Sequence, residues 1–163
     1  MNLSYIKKQL QFWADKKDVL HVKKLLTKED QILVKRKSEE LIQNIFTFDK
    51  PWDMERCQIP YKLKTLDWNI QLNDDEEWCF MLNRMDYLNY LVLSDHIEYA
   101  KTLILNWIEA HPTIQPEPST RTLDTGIRLM NFFEALPYLY ANSLLSDEEI
   151  TTIASPCWIS VRI

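Results

Sequence analysis

Apolar residues recur along this chain at steps of three and four, the period of helices that bury one face. Leu3, Ile6, Leu10 and Trp13 predict a first helix ending near Asp15. Thr27 with Asp30 reads as a helix start, and Val34, Leu41, Ile42 and Ile45 carry an apolar face to about Asn44. Across 46–72 the period breaks at Pro51 and Pro60, while Phe48, Trp52, Tyr61 and Trp68 supply large rings. Connections this long are uncommon inside a domain and often functional, and Trp52 and Trp68 read as exposed rings able to plug a core or stack on a sugar. Asn73 reads as the cap of the next helix, on which Trp78, Met81, Leu82, Met85, Leu88 and Val92 form one continuous face. Phe80, Tyr87 and Leu91 form a second face with Arg84 between them, so this helix is expected inside a layered assembly. Ser94 or Asp95 begins another helix, with Ile97, Ala100, Leu103, Ile104, Trp107 and Ile108 on its face and a stop at His111 and Pro112. The helix that follows contains Gly126 and is expected to end or kink near Pro137, and Ser146 with Glu149 is the capping box of a last one.

The single glycine among 163 residues leaves little of the tight-turn chemistry that hairpins need, which favours an all-α chain over a sheet. One helical domain spanning 1–163 is expected, with an apolar fraction of 46% ample for a core. A net charge of −5 gives no global support to nucleic-acid binding, although a local arginine pair can still hold an anion. Cys57, Cys79 and Cys157 are odd in number and lack CxxC spacing, so reduced and mostly buried thiols are expected. No apolar run approaches a membrane span and the N-terminus lacks a signal-peptide pattern, so a cytoplasmic chain without membrane contact is expected. His21, His96 and His111 read as surface imidazoles without metal-ligand spacing, and no phosphate loop or nucleophile motif is present, so neither metal nor cofactor is expected.

Two stretches place polar groups where core helices carry none: 67–84 (DWNIQLNDDEEWCFMLNR) and 119–131 (STRTLDTGIRLMN). Arg121, Asp124, Arg128 and Asn131 recur at steps of three, four and three, which puts them on one helical stripe. That stripe is either a candidate ligand surface or a polar face with internal ion pairs, because Asp124 and Arg128 are four apart. Arg84 among rings can bind a ligand, stack on an aromatic or pair with a buried carboxylate. Asp74, Asp75, Glu76 and Glu77 are explained by capping at the positive end of a helix before any acid–base role is needed.

Taken together, the aromatic loop, the W-x(5)-R helix at Trp78 and Arg84, and the LDTGIRLMN helix resemble the N-terminal helical domain of heparinase II/III-type polysaccharide lyases, over roughly 45–153. The resemblance implies about half of an α/α toroid built from antiparallel helix pairs, without the β-sandwich that follows it in that family. It also implies β-elimination on uronic-acid polysaccharides of the heparin or heparan kind. The family's proton-transfer tyrosine and histidine would fall beyond this chain, so no catalytic residue is assigned within it and independent turnover is not expected. What carries over is substrate-side: Arg128 and Asn131, then Arg121, Asp124, Arg84, Trp78 and Asn73 around a cleft. Thr120 and Arg121 stand where the family often has a tryptophan before the leucine-aspartate motif. The implied partner is an acidic polysaccharide or oligosaccharide. The alternatives are a non-catalytic helical module for glycan or protein, and a truncated product that self-associates through uncovered apolar faces.

Overall fold

The structure is a computed structural model that describes residues 2–49, 54–72 and 75–155. Trp52, Asn73, Asp74 and Cys157, and with them the predicted cap and one of the loop's rings, lie outside the described residues. The chain is mostly helical, in the order α1 (Leu3–Lys16), α2 (Lys28–Leu41), β1 (Ile45–Phe46), β2 (Tyr61–Lys62), α3 (Glu77–Arg84), α4 (Leu88–Val92), α5 (Ile97–Ala110), α6 (Thr122–Ala141) and α7 (Asp147–Ile153). Short 3-10 turns lie at Val22–Leu25, Glu55–Gln58 and Pro118–Thr120.

Local chemistry accounts for most of these boundaries. Thr27 and Asp30 exchange hydrogen bonds at the start of α2, and Ser146 and Glu149 do the same at α7, so four backbone donors find partners at the two ends. The two strands pair antiparallel, with Ile45 opposite Lys62 and Phe46 opposite Tyr61; Ile45, expected on the face of the second helix, leaves it for β1, and the other three lie in the stretch that the sequence offers only as a loop. Two residues per strand are too few to leave an alternating pattern. Phe46, Phe48 and Leu63 nonetheless bury here, and of the two fates open to Trp68 it takes the plug, sealed in the core with its indole Nε1 donating to Asn106 Oδ1 at 2.9 Å.

The predicted continuous helix through Val92 is broken. Met85, fully buried, adopts φ 57° and ψ 30°, a left-handed conformation that costs a side-chain-bearing residue about 1 to 2 kcal/mol. The break turns α4 away from α3 and exposes the last carbonyls of α3 to side chains from elsewhere. The opposite correction applies at Pro137, where α6 continues four residues further to Ala141. Proline there removes one intrahelical donor, but Phe132, Ala135, Leu136 and Leu139 on both sides of it are buried and hold the helix.

α6 is the central element. It packs against α1, α3, α4 and α5, while α2 lies on α4, and α7 lies on α1 and α5. The core joins Trp78, Leu82, Met85, Leu88 and Leu91 to Leu103, Ile104, Trp107, Phe132 and Leu139. No helix among the described residues is long and apolar enough to cross a membrane.

Candidate functional site

The two polar stretches meet at the C-terminal end of α3. Helices leave their last carbonyls unpartnered, and here three consecutive ones are taken by side chains. The Tyr87 hydroxyl donates to Leu82 O at 2.9 Å, Arg128 Nη1 to Asn83 O at 2.9 Å, and Asn131 Nδ2 to Arg84 O at 2.7 Å. Two of the three donors come from the GIRLMN helix, one of them cationic at the negative end of a helix dipole. The stripe read from sequence as a ligand surface therefore serves first to clamp α6 onto the broken end of α3.

Arg128 is spent on this task. It is 1% exposed, its Nη1 also reaches Ser119 O at 3.1 Å, its Nη2 donates to Thr125 Oγ1 at 2.9 Å, and its guanidinium carbon lies 3.7 Å over the Trp107 ring. Burial pulls its pKa down from 12.5 to about 9, opposed by Tyr87 and Asp124, so it stays protonated at neutral pH. Its Nε makes no hydrogen bond. As a guanidinium enclosed by protein, Arg128 does not present itself to a ligand, and the sequence assignment of it as a substrate contact is replaced by a structural one.

Asn83 organises the same region. Fully buried, it donates from Nδ2 to Trp68 O at 2.7 Å and Cys79 O at 2.9 Å, and accepts at Oδ1 from Trp107 Nε1 at 2.9 Å. His111, expected on the surface, is 4% exposed and stacks on Trp107 with centroids 4.1 Å apart. Its Nδ1 lies 2.7 Å from Trp107 O and its Nε2 2.9 Å from Ser119 Oγ, which matches a neutral ring donating from Nδ1 and accepting at Nε2. Burial lowers its pKa. Burial also pushes the Cys79 thiol up to about 12, with Sγ directed at Trp68 O, so this cysteine is no nucleophile.

Beside this buried network lies an ion-paired cluster that reaches the surface. Asp124, with no exposed area, accepts from Arg84 Nε at 2.7 Å and from Arg121 Nη2 at 3.1 Å, with a second short contact from Arg121 Nε. Arg121 immediately precedes α6, and its guanidinium lies over the Phe80 ring at 3.6 Å. Asp124 is thus a positioning group beneath two cations and not itself a ligand contact. Glu77, in the first turn of α3, lies 3.9 Å from Arg84 Nη2, and its backbone N–H donates to Asp75 Oδ1 at 3.0 Å.

Arg84 and Asn131 then share a cleft of about 260 Å³ with Thr47, Phe48, Asp49, Met81, Asp86, Tyr87, Tyr90 and Ile127. Arg84 keeps a fifth of its side chain exposed. Asn131 Oδ1 makes no hydrogen bond among the described residues. Among the described residues the buried Thr47 hydroxyl also has no hydrogen-bond partner. Lys37 neutralises Asp49 at 2.7 Å. Tyr87, whose hydroxyl is committed to Leu82 and whose pKa is raised by burial, is not available as a base.

Of the residues singled out from sequence, the structure brings Arg84, Arg121, Asp124 and Asn131 together, buries Arg128 behind them and sends Trp78 elsewhere. Trp78 packs in the core against Phe48, Tyr61 and Phe46, with centroids 5.3, 5.5 and 6.3 Å away, and does not line the cleft. Asn83, Thr47, Asp86 and Tyr90 escaped the sequence reading. An asparagine inside a helix interior, disfavoured unless its amide has work to do, is the one available signal, and it pointed to Asn83. Among the described residues no group of three or more His, Cys, Asp or Glu side chains could hold a metal ion. Comparison with family models, curated proteins and solved structures finds no match to this chain.

Proposed function

We propose that this chain is a helical acidic-polysaccharide-binding unit of the heparinase II/III type, part of an incomplete α/α toroid, in which Arg84 and Asn131 receive a uronate carboxylate. The observation that carries the reading is their convergence on one cleft, with Asp124 buried behind Arg84 to fix its guanidinium. A guanidinium offers paired donors matched to a carboxylate, and the half-buried Tyr90 brings a ring to the cleft wall. The same donors would neutralise the carboxylate of a uronate as charge develops during β-elimination. Proton abstraction is assigned to no described residue of the cleft. Among the described residues Arg84 is the one cation lining the cleft, which supports a sugar with single carboxylates over a densely sulfated polymer.

Calorimetric titration with a short unsulfated uronate oligosaccharide tests the reading. Saturable binding that falls at least about tenfold, or 1.4 kcal/mol, in Arg84→Ala is the expected result. Equal affinity in a folded Arg84→Ala variant, or no binding by the parent chain, would refute it.

A second reading, a helical chain that self-associates through an uncovered apolar face, is favoured by a separate observation. An apolar groove of about 440 Å³ runs between α1, α6 and α7, lined by Ile6, Leu10, Phe133, Leu136, Ile150 and Ile153 among others, and Phe133 is 63% exposed. Light scattering separates these cases. A concentration-dependent dimer lost on Phe133→Ser favours association through the groove.

A further inference from the structure

Charge is distributed unevenly along this acidic chain. Residues 1–28 carry seven lysines against Asp15 and Asp18, a net +5 in a chain whose total is −5. Three of these lysines, Lys7, Lys17 and Lys23, pair with carboxylates from later in the chain, and on α1 Lys8 and Lys16 remain without one among the described residues. On α1, Tyr5, Gln9, Phe12 and Lys16 follow steps of four, three and four along one exposed stripe, with Lys8 and Trp13 at its edges. Tyr5 is 59% exposed, Phe12 55% and Trp13 47%, and Phe12 and Trp13 meet edge to face at 5.3 Å. Lys7 and Lys17 are held by Asp147 and Glu134, and Gln11 occupies Asp15. Among the described residues Lys8, Lys16 and Lys24 have no carboxylate partner.

We infer that this exposed stripe of α1 is an anchoring surface for an acidic polysaccharide, separate from the Arg84 cleft. The inference rests on the proposed function for the identity of the polymer. Rings and ammonium groups alternate on one surface, as a chain of carboxylated pyranoses requires: rings stack on sugar faces and lysines meet carboxylates. Tyr5 and Phe12 lie seven residues apart, about 10.5 Å along the helix, a span comparable with a disaccharide unit. The cleft itself has no excess of cationic lining, so an acidic polymer gains its long-range attraction from this face. An anionic lipid surface is the weaker fit. A helix that lies in a membrane interface buries a continuous apolar face there, whereas the exposed face of α1 interrupts its rings with Lys8, Gln9 and Lys16, and its apolar side lines the groove shared with α6 and α7.

Two linked contacts bind a long polymer far more tightly than a short one, on the order of a hundredfold for two weak sites. Affinity electrophoresis and calorimetry on the full chain would compare long sodium alginate, a short alginate oligosaccharide, dextran, and vesicles of phosphatidylcholine with added phosphatidylserine. The variants are Lys8→Glu with Lys16→Glu, and Tyr5→Ser with Phe12→Ser, each checked for an unchanged melt. The expected result is that both variants lose the advantage of long alginate over the oligosaccharide, on the order of a hundredfold, while oligosaccharide affinity is unchanged. Loss of polymer binding in both variants with no oligosaccharide binding by the parent upholds the anchor and removes the cleft reading. Polymer affinity unchanged in either variant overturns the anchor and leaves the cleft reading standing. Binding to the vesicles that depends on these residues and exceeds binding to alginate assigns the surface to lipid and overturns the inference. Equal retention by dextran and alginate overturns it as well.

Discussion

Replacing Arg128 with methionine is the sharpest test of the clamp between α6 and α3. The side chain fits a similar volume but removes a guanidinium that donates to Asn83 O, Ser119 O and Thr125 Oγ1 in a fully buried setting. Hydrogen bonds to a charged group contribute about 1.5 to 3 kcal/mol each, and the two carbonyls would be left without these donors. Against that loss stands the cost of burying a cation, here without a carboxylate in direct contact, which replacement by an apolar group relieves. The balance is a net destabilisation of about 3 kcal/mol, since three charged bonds outweigh the relief but do not add in full. For a chain of this length that corresponds to a drop of roughly 6 to 12 °C in melting temperature. Arg128→Lys would not restore it, because one ammonium cannot reach three acceptors in the fork geometry of a guanidinium. Thermal and urea unfolding of both variants measure the effect. A methionine variant as stable as the parent would refute the clamp.

Asp124→Asn leaves Arg84 and Arg121 without their shared carboxylate. Because the two arginines are about a fifth and two fifths exposed and can rehydrate, the expected loss is about 2 kcal/mol, below that for a fully buried pair, read as a shift in urea midpoint. His111 has a depressed pKa in the folded chain, so the unfolded chain binds the proton more readily. Stability conferred by the neutral ring is present above pH 6.5 and is lost as pH falls through the lowered value, and His111→Gln should flatten that acid limb of a pH series of melts. Cys79 and Cys57 are buried, so thiol titration with a disulfide reagent should be slow at both in the native chain and fast in urea. No rise in unsaturated-uronide absorbance is expected when the purified chain alone meets acidic polysaccharides, and robust elimination would overturn the assignment of the cleft as a binding site only.

Sequence period located the long helices because each buries one continuous face, as α5 does with Ala100, Leu103, Ile104 and Trp107. It missed the break at Met85, since an apolar residue in the left-handed region looks like any other core residue and the stabilising partners come from α6 forty residues on. It missed β1 and β2 because their register is set by burial of Phe46, not by a turn signature. The candidate site was half legible. Steps of three and four placed Asp124, Arg128 and Asn131 on one inward face, but not which of them would meet solvent. That distinction is tertiary: Arg84 emerges into a cleft because α3 ends there, while Arg128 one turn along α6 from Asp124 is covered by Trp107. The hydrogen bonds that couple α3 to α6 give a physical reason for the two polar stretches to occur together.

The most direct test of the account is a crystal structure of the chain with a short unsulfated uronate oligosaccharide. The account predicts a sugar carboxylate within hydrogen-bond distance of the Arg84 guanidinium and beside Asn131, with Arg128 unmoved under Trp107. An oligosaccharide seated away from Arg84, or a cleft that stays empty at saturating ligand, would contradict it.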